Sequence, residues 1–522
     1  MQKLSKRLAA WKEFVCWGYG KRQKQQIRCL FKGFLECVCL SVLVLVPLWR
    51  ELLFSKSGFH HVTPTQTDYL AGLTLIPLVA FALFGTFGAF RFYSPKTRNR
   101  LGLLVLIICL FTGVFNPLRQ YVTEQYLPRV YQHVLLIKAA PFFPVIFLVL
   151  FKKQIYSILW RVVLFSAPFT ILIIIQLVGA LNRSGDRELV INRRPLAESI
   201  KRLSNRVVWI VFDELDYRLV FPDRPRDLLL PNFDRFATSS ARFTNATPPA
   251  IQTLVSVPSL VDGVAYSAAF PTAPNLLMLR DGAGDLSPWG SRPNVFTDVQ
   301  ALGGRSAVIG WYLPYGRIFR NIVDYSQWAP FSPEGFLGQG LGLWSTVLTH
   351  LKGILPVYRK TLHGEIEQQL EKGLERVITD PDFSLCFLHL PAPHLPTLGG
   401  GNFPSNALTY FNDVRAYFDN LKEADRVLGQ CLDAIENSSV ASNTAIIVSS
   451  DHPWRTSELF DRKSDPRVPF MLRFPHQTIG YDKGGSMQTV ETRGLIRGIL
   501  ATASTHFSET NLLQLGSSVP FK

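Results

Sequence analysis

Cysteine pairs with the CxxC spacing are missing from this 522-residue sequence. Its seven cysteines stand at positions 16, 29, 37, 39, 109, 386 and 431, and none forms the CxxC spacing typical of structural zinc domains. The sequence therefore implies no zinc cluster built on cysteine. In the second part of the chain, Cys386 and Cys431 could form a single disulfide, but two buried thiols are the favoured interpretation, since spacing alone cannot establish bonding geometry.

Acidic residues are scarce in the first third of the chain. Residues 1–33 carry nine Lys or Arg and one acid, and 34–181 carry twelve and four. Residues 182–522 carry 34 basic and 34 acidic residues, so the formal charge of +16 comes from the first third alone. Charge confined to one end suits membrane orientation better than a nucleic-acid surface, and no nucleic-acid partner is predicted.

A small-residue cleavage site is also lacking before the first long apolar run, so a removed signal peptide is not expected. Each of five apolar segments is close to the roughly 20 residues that a helix needs to cross hydrocarbon. These segments lie near 34–49, 69–90, 101–118, 133–151 and 156–181. We therefore predict an N-terminal bundle of about five transmembrane helices over residues 34–181.

The connections between these segments indicate their orientation. Residues 91–100 contain four Lys or Arg and 152–161 contain three, whereas 50–68 and 117–132 contain two each, offset by acids. Basic connections stay in the cytoplasm. We therefore predict a multi-pass protein of the cytoplasmic (inner) membrane, with residues 1–33 as a cytoplasmic N-terminus and the part after the last apolar segment outside, in the periplasm.

Past the apolar segments the pattern changes. Residues 182–205 are polar and partly amphipathic and are interpreted as an interfacial linker, and 206–522 as an outer domain in which strands and helices alternate. Strands are predicted at 206–212, 383–390, 444–450 and 468–474, and helices near 231–240, 409–437 and 490–502. Unbroken apolar strands are typical of sheets covered on both faces. This predicts an α/β fold with a mainly parallel sheet between helices.

Three of these strands end in candidate ligands. The first runs into Asp213 and Glu214, the third into Asp451 and His452, and the second into His389 followed by His394. Sites in α/β sheets form at the carboxyl ends of strands. Taken singly, each residue also has a structural interpretation as a cap, a loop start or a hydrogen-bonded core histidine. Together, two or three carboxylates and an imidazole favour a divalent site for Zn²⁺ or Mn²⁺.

Thr253 lies in the stretch TNATPPAIQTLVSVPSLVDG, residues 244–263. The two prolines make a non-helical entry, and the apolar spacing after Thr253 predicts a short helix that begins there. On this stretch alone, N-capping by the threonine hydroxyl is favoured. A metal ion beside it would instead make the hydroxyl a nucleophile, with helix N–H groups available to hold an anion.

Residues from about 206 to 475 resemble the sulfatase-type branch of the alkaline phosphatase superfamily. The matching text is VVWIVFDE, LPNFDRFATSSARFTNATPPAIQTLVSVPSL, FLHLPAPHLP, YFDNLKEADRVLG, NTAIIVSSDH and VPFMLRFP. The resemblance implies an α/β/α sandwich that binds a divalent metal ion. With apolar helices ahead of such a domain, the chain further resembles bacterial phosphoethanolamine transferases and lipoteichoic acid synthases.

The resemblance also implies a role for each matched position. It makes Thr253 the nucleophile and a metal ligand, and His394 a residue that meets the phosphoryl or sulfuryl group; His389 is a second predicted substrate-binding residue. The other implied metal ligands are Asp213, Glu214, Asp451 and His452.

Two departures bear on the reaction. Sulfatases of this branch carry Cys or Ser at the nucleophile position, because it is oxidised to a formylglycine aldehyde, which threonine cannot form. In GGRSAVIGWYLPY, Trp311 stands where the sulfatase pattern has lysine. Both favour phosphoryl transfer through a phospho-threonine intermediate.

Three hypotheses follow. The first is a membrane-bound phosphotransferase that moves a phosphoethanolamine or phosphoglycerol headgroup from a membrane phospholipid donor to an envelope glycan or glycolipid acceptor. The second is a phosphoester or sulfoester hydrolase of the same fold. The third is a non-catalytic lipid-binding envelope protein, against which the retained ligand set argues. Donor, acceptor and oligomeric state stay open.

Overall fold

The computed structural model describes residues 21–53, 58–60, 64–93, 95–110, 113, 160–182, 190–192, 202–329, 342–354, 370–394 and 414–502. The chain divides into two compact units. An apolar unit comprises Met1–Ser55, Pro64–Gly185 and Gln339–Ile354, and an α/β unit comprises Lys56–Thr63, Asp186–Gly338 and Leu355–Lys522. Residues 56–63 therefore belong to the α/β unit, although in sequence they lie within the apolar unit. Residues 339–354 belong to the apolar unit, although in sequence they lie within the α/β unit.

The helices, in chain order, are α1 (Lys21–Val44), α2 (Val46–Leu53), α3 (Gln66–Ala89), α4 (Pro95–Leu110), α5 (Ala167–Ala180), α6 (Tyr217–Val220), α7 (Pro231–Ala237), α8 (Thr253–Asp262), α9 (Val295–Ala301), α10 (Tyr315–Ile318), α11 (Leu343–Ile354), α12 (370–379), α13 (Val414–Glu436), α14 (Glu458–Asp461) and α15 (Thr492–Ala501). The strands are β1 (Val190–Asn192), β2 (Arg206–Asp213), β3 (Ala241–Thr247), β4 (Tyr266–Ala273), β5 (Leu276–Asp281), β6 (Leu286–Pro288), β7 (Ser306–Trp311), β8 (Tyr325–Ala329), β9 (Leu385–Pro393), β10 (Thr444–Ser450), β11 (Phe470–Arg473) and β12 (Tyr481–Gln488).

One helix in the described part of the apolar unit, α3, is long and apolar enough to cross a membrane. The pair Leu30–Val44 and Val46–Leu53 meets the same criteria together but is bent by 62°. The apolar helices Leu101–Leu110 and Ala167–Ala180 are shorter, and the predicted segment at 133–151 lies outside the described residues. One or two candidate spans are thus present here, and the bundle of about five stays a prediction.

The α/β unit is built on a nine-stranded sheet with the strand order β1-β8-β7-β9-β2-β10-β11-β3-β12. Its centre, from β8 to β10, is parallel throughout. β11 runs antiparallel to both of its neighbours, and β1 runs antiparallel to β8 at the edge. This confirms the predicted α/β fold with a mainly parallel sheet. A separate antiparallel sheet contains β4, β5 and β6.

Side chains of β2 alternate between two hydrophobic cores. Trp209 lies in a core formed with α8, α9 and α15, and Ile210 lies in the other with α7, α12 and α13. Every residue of β2 is buried, as the unbroken apolar sequence predicts. The sheet is therefore the middle layer of an α/β/α sandwich.

The predicted elements of this unit are present with small shifts at their ends. The strand runs at 206–212, 383–390, 444–450 and 468–474 correspond to β2, β9, β10 and β11, and the predicted helices to α7, α13 and α15. Cys386 and Cys431 are both buried and unbonded, as favoured. β1 was not predicted: it falls in the proposed linker 182–205, most of which lies outside the described residues.

Residues 58–60 lie between two helices of the apolar unit but pack in the α/β unit. Phe59 is fully buried in the core that contains Trp209. The ring of His60 stacks on Tyr312 at a centroid distance of 4.2 Å, and Arg317 donates a hydrogen bond to the carbonyl oxygen of Gly58 at 3.2 Å. The connection between α2 and α3 is therefore a structural part of the α/β unit.

We expect Phe59→Ala to destabilise the α/β unit by about 3–5 kcal/mol, because deleting a fully buried aromatic ring leaves a cavity in a close-packed core. Thermal unfolding of the detergent-purified full chain, followed by tryptophan fluorescence, measures this as a lower unfolding temperature. The control is Leu229→Ala, since Leu229 is 75% exposed. An unfolding temperature for Phe59→Ala equal to that of the control would contradict the assignment of Phe59 to the core.

Candidate metal-binding and catalytic site

The candidate site lies where three neighbouring parallel strands end together. Phe212 of β2 is level with Ser450 of β10 and with Leu390 of β9. Residues that follow these positions therefore meet at one edge of the sheet. Backbone pairing between the two segments extends past the ends of β2 and β9, because His394 N donates a hydrogen bond to the carbonyl oxygen of Asp213 at 3.1 Å.

Asp213, Asp451 and His452 form a buried group of potential metal ligands. One ligand atom from each lies within 4.8 Å of the others. His452 Nε2 is 3.7 Å from Asp213 Oδ1 and 3.4 Å from Asp451 Oδ2. Of the residues that the structure describes, only these form such a group. Two carboxylates and an imidazole could hold a divalent metal ion.

The electrostatics of this group fit a cation. Burial raises the pKa of Asp213 well above its usual range, and the negative charges of Asp451 and Glu214 raise it further. Asp451 Oδ1 accepts hydrogen bonds from the backbone N–H groups of His452, at 2.8 Å, and Glu214, at 3.2 Å. Its Oδ2 is buried and receives no hydrogen bond from the described residues. Buried carboxylates of this kind are costly unless a positive charge compensates them.

Thr253 is the first residue of α8, and its hydroxyl points into this group. Thr253 Oγ1 lies 3.3 Å from Asp213 Oδ2 and 3.1 Å from His452 Nε2. The N-cap of the helix is Gln252, so the capping role favoured from the isolated stretch is wrong. Ser256 Oγ, one turn further on, donates to the carbonyl oxygen of Asp451 at 2.5 Å and ties the start of the helix to the end of β10.

Glu214 is paired with an arginine beside the three ligands. Its backbone has a positive φ of 65°, and its Oε1 accepts a hydrogen bond from Arg455 Nε at 2.5 Å. Arg455 Nη2 also donates to His394 Nε2 at 3.0 Å. Burial raises the pKa of Glu214, but the charges of His394 and Arg455 outweigh it and the net shift is downward. Glu214 thus has an arginine partner here, and its role as a metal ligand stays a prediction.

His389 lies behind the ligands, in the core of the sheet. It is fully buried, and its Nδ1 is hydrogen-bonded to the hydroxyl of Tyr315 at 2.8 Å. Its Nε2 is 3.9 Å from Asp213 Oδ2. Burial lowers the pKa of His389 to about 4, so the imidazole is neutral near pH 7. This is the hydrogen-bonded core position held above as the alternative, and substrate binding by His389 stays a prediction.

Sequence reasoning missed Arg455 and Tyr315. Arg455 follows His452 by three positions, so a basic residue just after a predicted ligand pair was the available signal. Tyr315 is the last residue of the stretch GGRSAVIGWYLPY, in which Trp311 alone was singled out because it stands at the lysine position of the sulfatase pattern. Trp311 packs edge-on against the His394 ring at a centroid distance of 5.2 Å. The aromatic stretch therefore forms one wall beside the site.

The strand ends thus bring buried acids and a histidine, which could hold a metal ion, beside the hydroxyl at the start of a helix. The family model described as Sulfatase matches residues 205–491, more than half of the chain, and covers every site residue named above. The protein belongs to the sulfatase family and is a sulfatase-like enzyme. No curated protein sequence matches the chain.

Solved structures with a related fold have low sequence identity. A protein of the alkaline phosphatase superfamily from Vibrio parahaemolyticus is 14% identical over 59% of this chain and 72% of its own, with a TM-score of 0.37. The phosphonate monoester hydrolase of Agrobacterium radiobacter is 15% identical over 55% and 72%, with a TM-score of 0.38. The lipoteichoic acid synthase LtaP from Listeria monocytogenes is 11% identical over 58% and 75%, with a TM-score of 0.38. The family assignment rests on the match over 205–491.

We expect the full chain, purified without chelators, to carry a divalent ion that Asp451→Asn releases. The amide keeps the shape of the side chain but removes the charge. We expect affinity to fall by at least the roughly 10–100-fold that loss of an outer-shell partner costs. Elemental mass spectrometry after dialysis measures the retained metal. Asp433→Asn, an exposed residue paired with Arg235, is the matched control. Equal metal content in both variants would remove Asp451 from the ligand set.

Proposed function

We propose that this protein is a membrane-bound phosphotransferase. It takes a phosphoryl-alcohol headgroup of the phosphoethanolamine or phosphoglycerol type from a phospholipid donor. Thr253 holds the group covalently and passes it to an envelope glycan or glycolipid. The observation that carries the proposal is the position of the Thr253 hydroxyl, 3.3 Å from Asp213 and 3.1 Å from His452 at the start of a helix.

The identity of the nucleophile supports phosphoryl rather than sulfuryl transfer. In the sulfatase branch, the resemblance implies a Cys or Ser that is oxidised to an aldehyde. Thr253 cannot be converted in this way, and the described cysteines, from Cys37 to Cys431, lie elsewhere in the fold. A threonine hydroxyl can attack phosphorus directly and form a phosphoester, a step that needs no oxidation.

The proposed reaction has two displacements at phosphorus. In the first, Thr253 Oγ1 forms a bond to the phosphorus of the donor, the bond from phosphorus to the lipid alcohol breaks, and diacylglycerol leaves with a proton. In the second, the oxygen of an acceptor hydroxyl forms a bond to phosphorus, the bond from phosphorus to Thr253 Oγ1 breaks, and the proton lost by the acceptor restores the Thr253 hydroxyl. Asp213 Oδ2 and His452 Nε2 are the acceptors nearest to the Thr253 proton.

A divalent ion held by Asp213, Asp451 and His452, with Zn²⁺ or Mn²⁺ preferred, would lower the pKa of the Thr253 hydroxyl and neutralise charge on the transferred group. Arg455 and His394 bind the remaining phosphoryl oxygens. Support for this comes from the pair they form beside the ligands, where Glu214 orients the guanidinium. Arginine suits this task because its donors fit planar oxyanions.

The apolar unit supports membrane anchoring. α3 meets the length and composition of a spanning helix, and the bent pair α1–α2 meets it jointly. We propose that the chain crosses the cytoplasmic membrane several times, with residues 1–33 inside and the α/β unit outside. A lipid donor and an envelope acceptor are both accessible from that side.

Thr253→Ala is expected to abolish transfer, with a loss in kcat on the order of 10⁶-fold, as for removal of other enzyme nucleophiles. Release of NBD-diacylglycerol from vesicles containing NBD-labelled phosphatidylethanolamine or phosphatidylglycerol measures the first displacement. Intact-protein mass spectrometry measures the adduct on Thr253, whose added mass identifies the transferred group.

Thr253→Ser is the matched control, because it keeps a hydroxyl at the same position and is expected to retain turnover. Activity or an adduct in Thr253→Ala would eliminate the threonine mechanism. Steady turnover of the wild type without any acceptor would identify water as the acceptor and make the protein a hydrolase. Turnover that stops after one adduct per chain supports the transferase.

We expect Arg455→Ala to raise KM for the vesicle donor about 10–100-fold, with a smaller effect on kcat. The reason is the loss of a charge-assisted contact worth about 1.5–3 kcal/mol. Arg462→Ala, an exposed arginine on the same loop, is the control. If kcat falls as in Thr253→Ala while KM is unchanged, Arg455 does not bind the ground-state phosphate and its assigned role is incorrect.

A further inference from the structure

In sequence, helix α11 lies in the middle of the α/β unit, but it packs as part of the apolar unit. It lies between β8 and β9, yet Gln339–Ile354 belongs to the apolar unit. The residues on both sides of this segment belong to the α/β unit. This twelve-residue helix therefore packs with apolar helices that lie far from it in sequence.

The exposed face of α11 is unlike that of a helix on a water-soluble protein. Its buried face carries the polar residues Thr346, Thr349 and His350 beside the apolar Val347 and Ile354. Its outward face carries Trp344, which is 64% exposed, and Leu348, which is 57% exposed. In water an amphipathic helix buries its apolar stripe and exposes its polar one. The outer surface of α11 therefore matches an apolar surrounding.

The inward polar face of α11 is explained by its partner helix. α11 packs against α3, and His350 Nε2 lies 3.3 Å from Asp68 Oδ1. Asp68 is in the first turn of α3, and its Oδ2 accepts hydrogen bonds from the backbone N and the hydroxyl of Thr65, each at 2.7 Å. The buried carboxylate is thus fully hydrogen-bonded, and α11 is fixed in rotation with its apolar side outward.

The apolar side of α11 continues a surface that α3 already presents. Only 28% of the most apolar stretch of α3 is buried. Leu70, two residues after Asp68, is exposed at the end where α11 packs, and Leu78 and Phe81 are exposed further along. If α3 spans the membrane, its exposed side chains face lipid, and the α11 surface adjoins them at one end of the span.

We propose that α11 docks on the phospholipid bilayer, with Trp344, Leu348 and Leu351 at the boundary between headgroups and acyl chains. Tryptophan is enriched at this depth, and helices with one strong apolar face bind there. The inference rests on the membrane anchoring of the proposed function. It gives the α/β unit a second attachment to the bilayer, through the chain between β8 and β9. This keeps the unit at the surface that holds the lipid donor.

Photocrosslinking in proteoliposomes tests the proposal. The full chain carries p-benzoylphenylalanine in place of Leu348 and is reconstituted in vesicles of phosphatidylethanolamine and phosphatidylglycerol. After irradiation, mass spectrometry distinguishes a phospholipid adduct from a protein crosslink. We expect a lipid adduct at position 348 with a yield several-fold above that for the same probe at Leu229, an exposed position of the α/β unit.

Two further outcomes would overturn the proposal. A crosslink from 348 to protein, either a second copy or another segment of this chain, would show that protein covers the face. A lipid yield no higher than at Leu229 would show that the face meets water. The probe at Phe81 on α3 separates the two levels of inference. A lipid adduct at 81 without one at 348 rejects only α11 docking, whereas no adduct at 81 rejects the membrane anchoring itself.

Discussion

Two buried carboxylates of like charge at the ends of neighbouring strands are the constraint on which this site depends. β2 and β10 are parallel and level, so Asp213 and Asp451 leave the sheet side by side in an interior that removes them from water. Desolvation costs several kcal/mol for each ion. The charge of Arg455 offsets part of this cost, and the His452 imidazole lies 3.7 Å from Asp213 and 3.4 Å from Asp451. A divalent cation between them would stabilise the charged form, so the geometry at the strand ends suits a metal ion.

Packing on both faces of the sheet keeps this geometry rigid. The side chains of β2 alternate between two cores, and each core is closed by a different set of helices. The helix that carries Thr253 belongs to one of them and is also joined to the end of β10 through Ser256. Thr253, the proposed nucleophile, is therefore held by regular elements, which position a reacting atom more precisely than a loop could.

The sequence was sufficient for the centre of the fold, because unbroken apolar strands and the acids that follow them are local signals. It also placed Thr253 at a helix start, although it named the wrong N-cap. Other features depend on contacts between distant residues. The Glu214–Arg455 pair requires a left-handed backbone at Glu214, and β1 becomes a strand only by pairing with β8. The burial of polar side chains on α11 is explained only by its contact with α3, which lies more than 250 residues away in sequence.

Phe59 is buried in the core of the α/β unit, although in sequence it lies between two apolar helices. A fragment that begins after the last apolar helix contains every residue of the candidate site but lacks this ring from its core. Proteolytic release of such a fragment would therefore leave a cavity in the core that contains Trp209. The short connection between α2 and α3 thus couples the packing of the α/β unit to the apolar part of the chain.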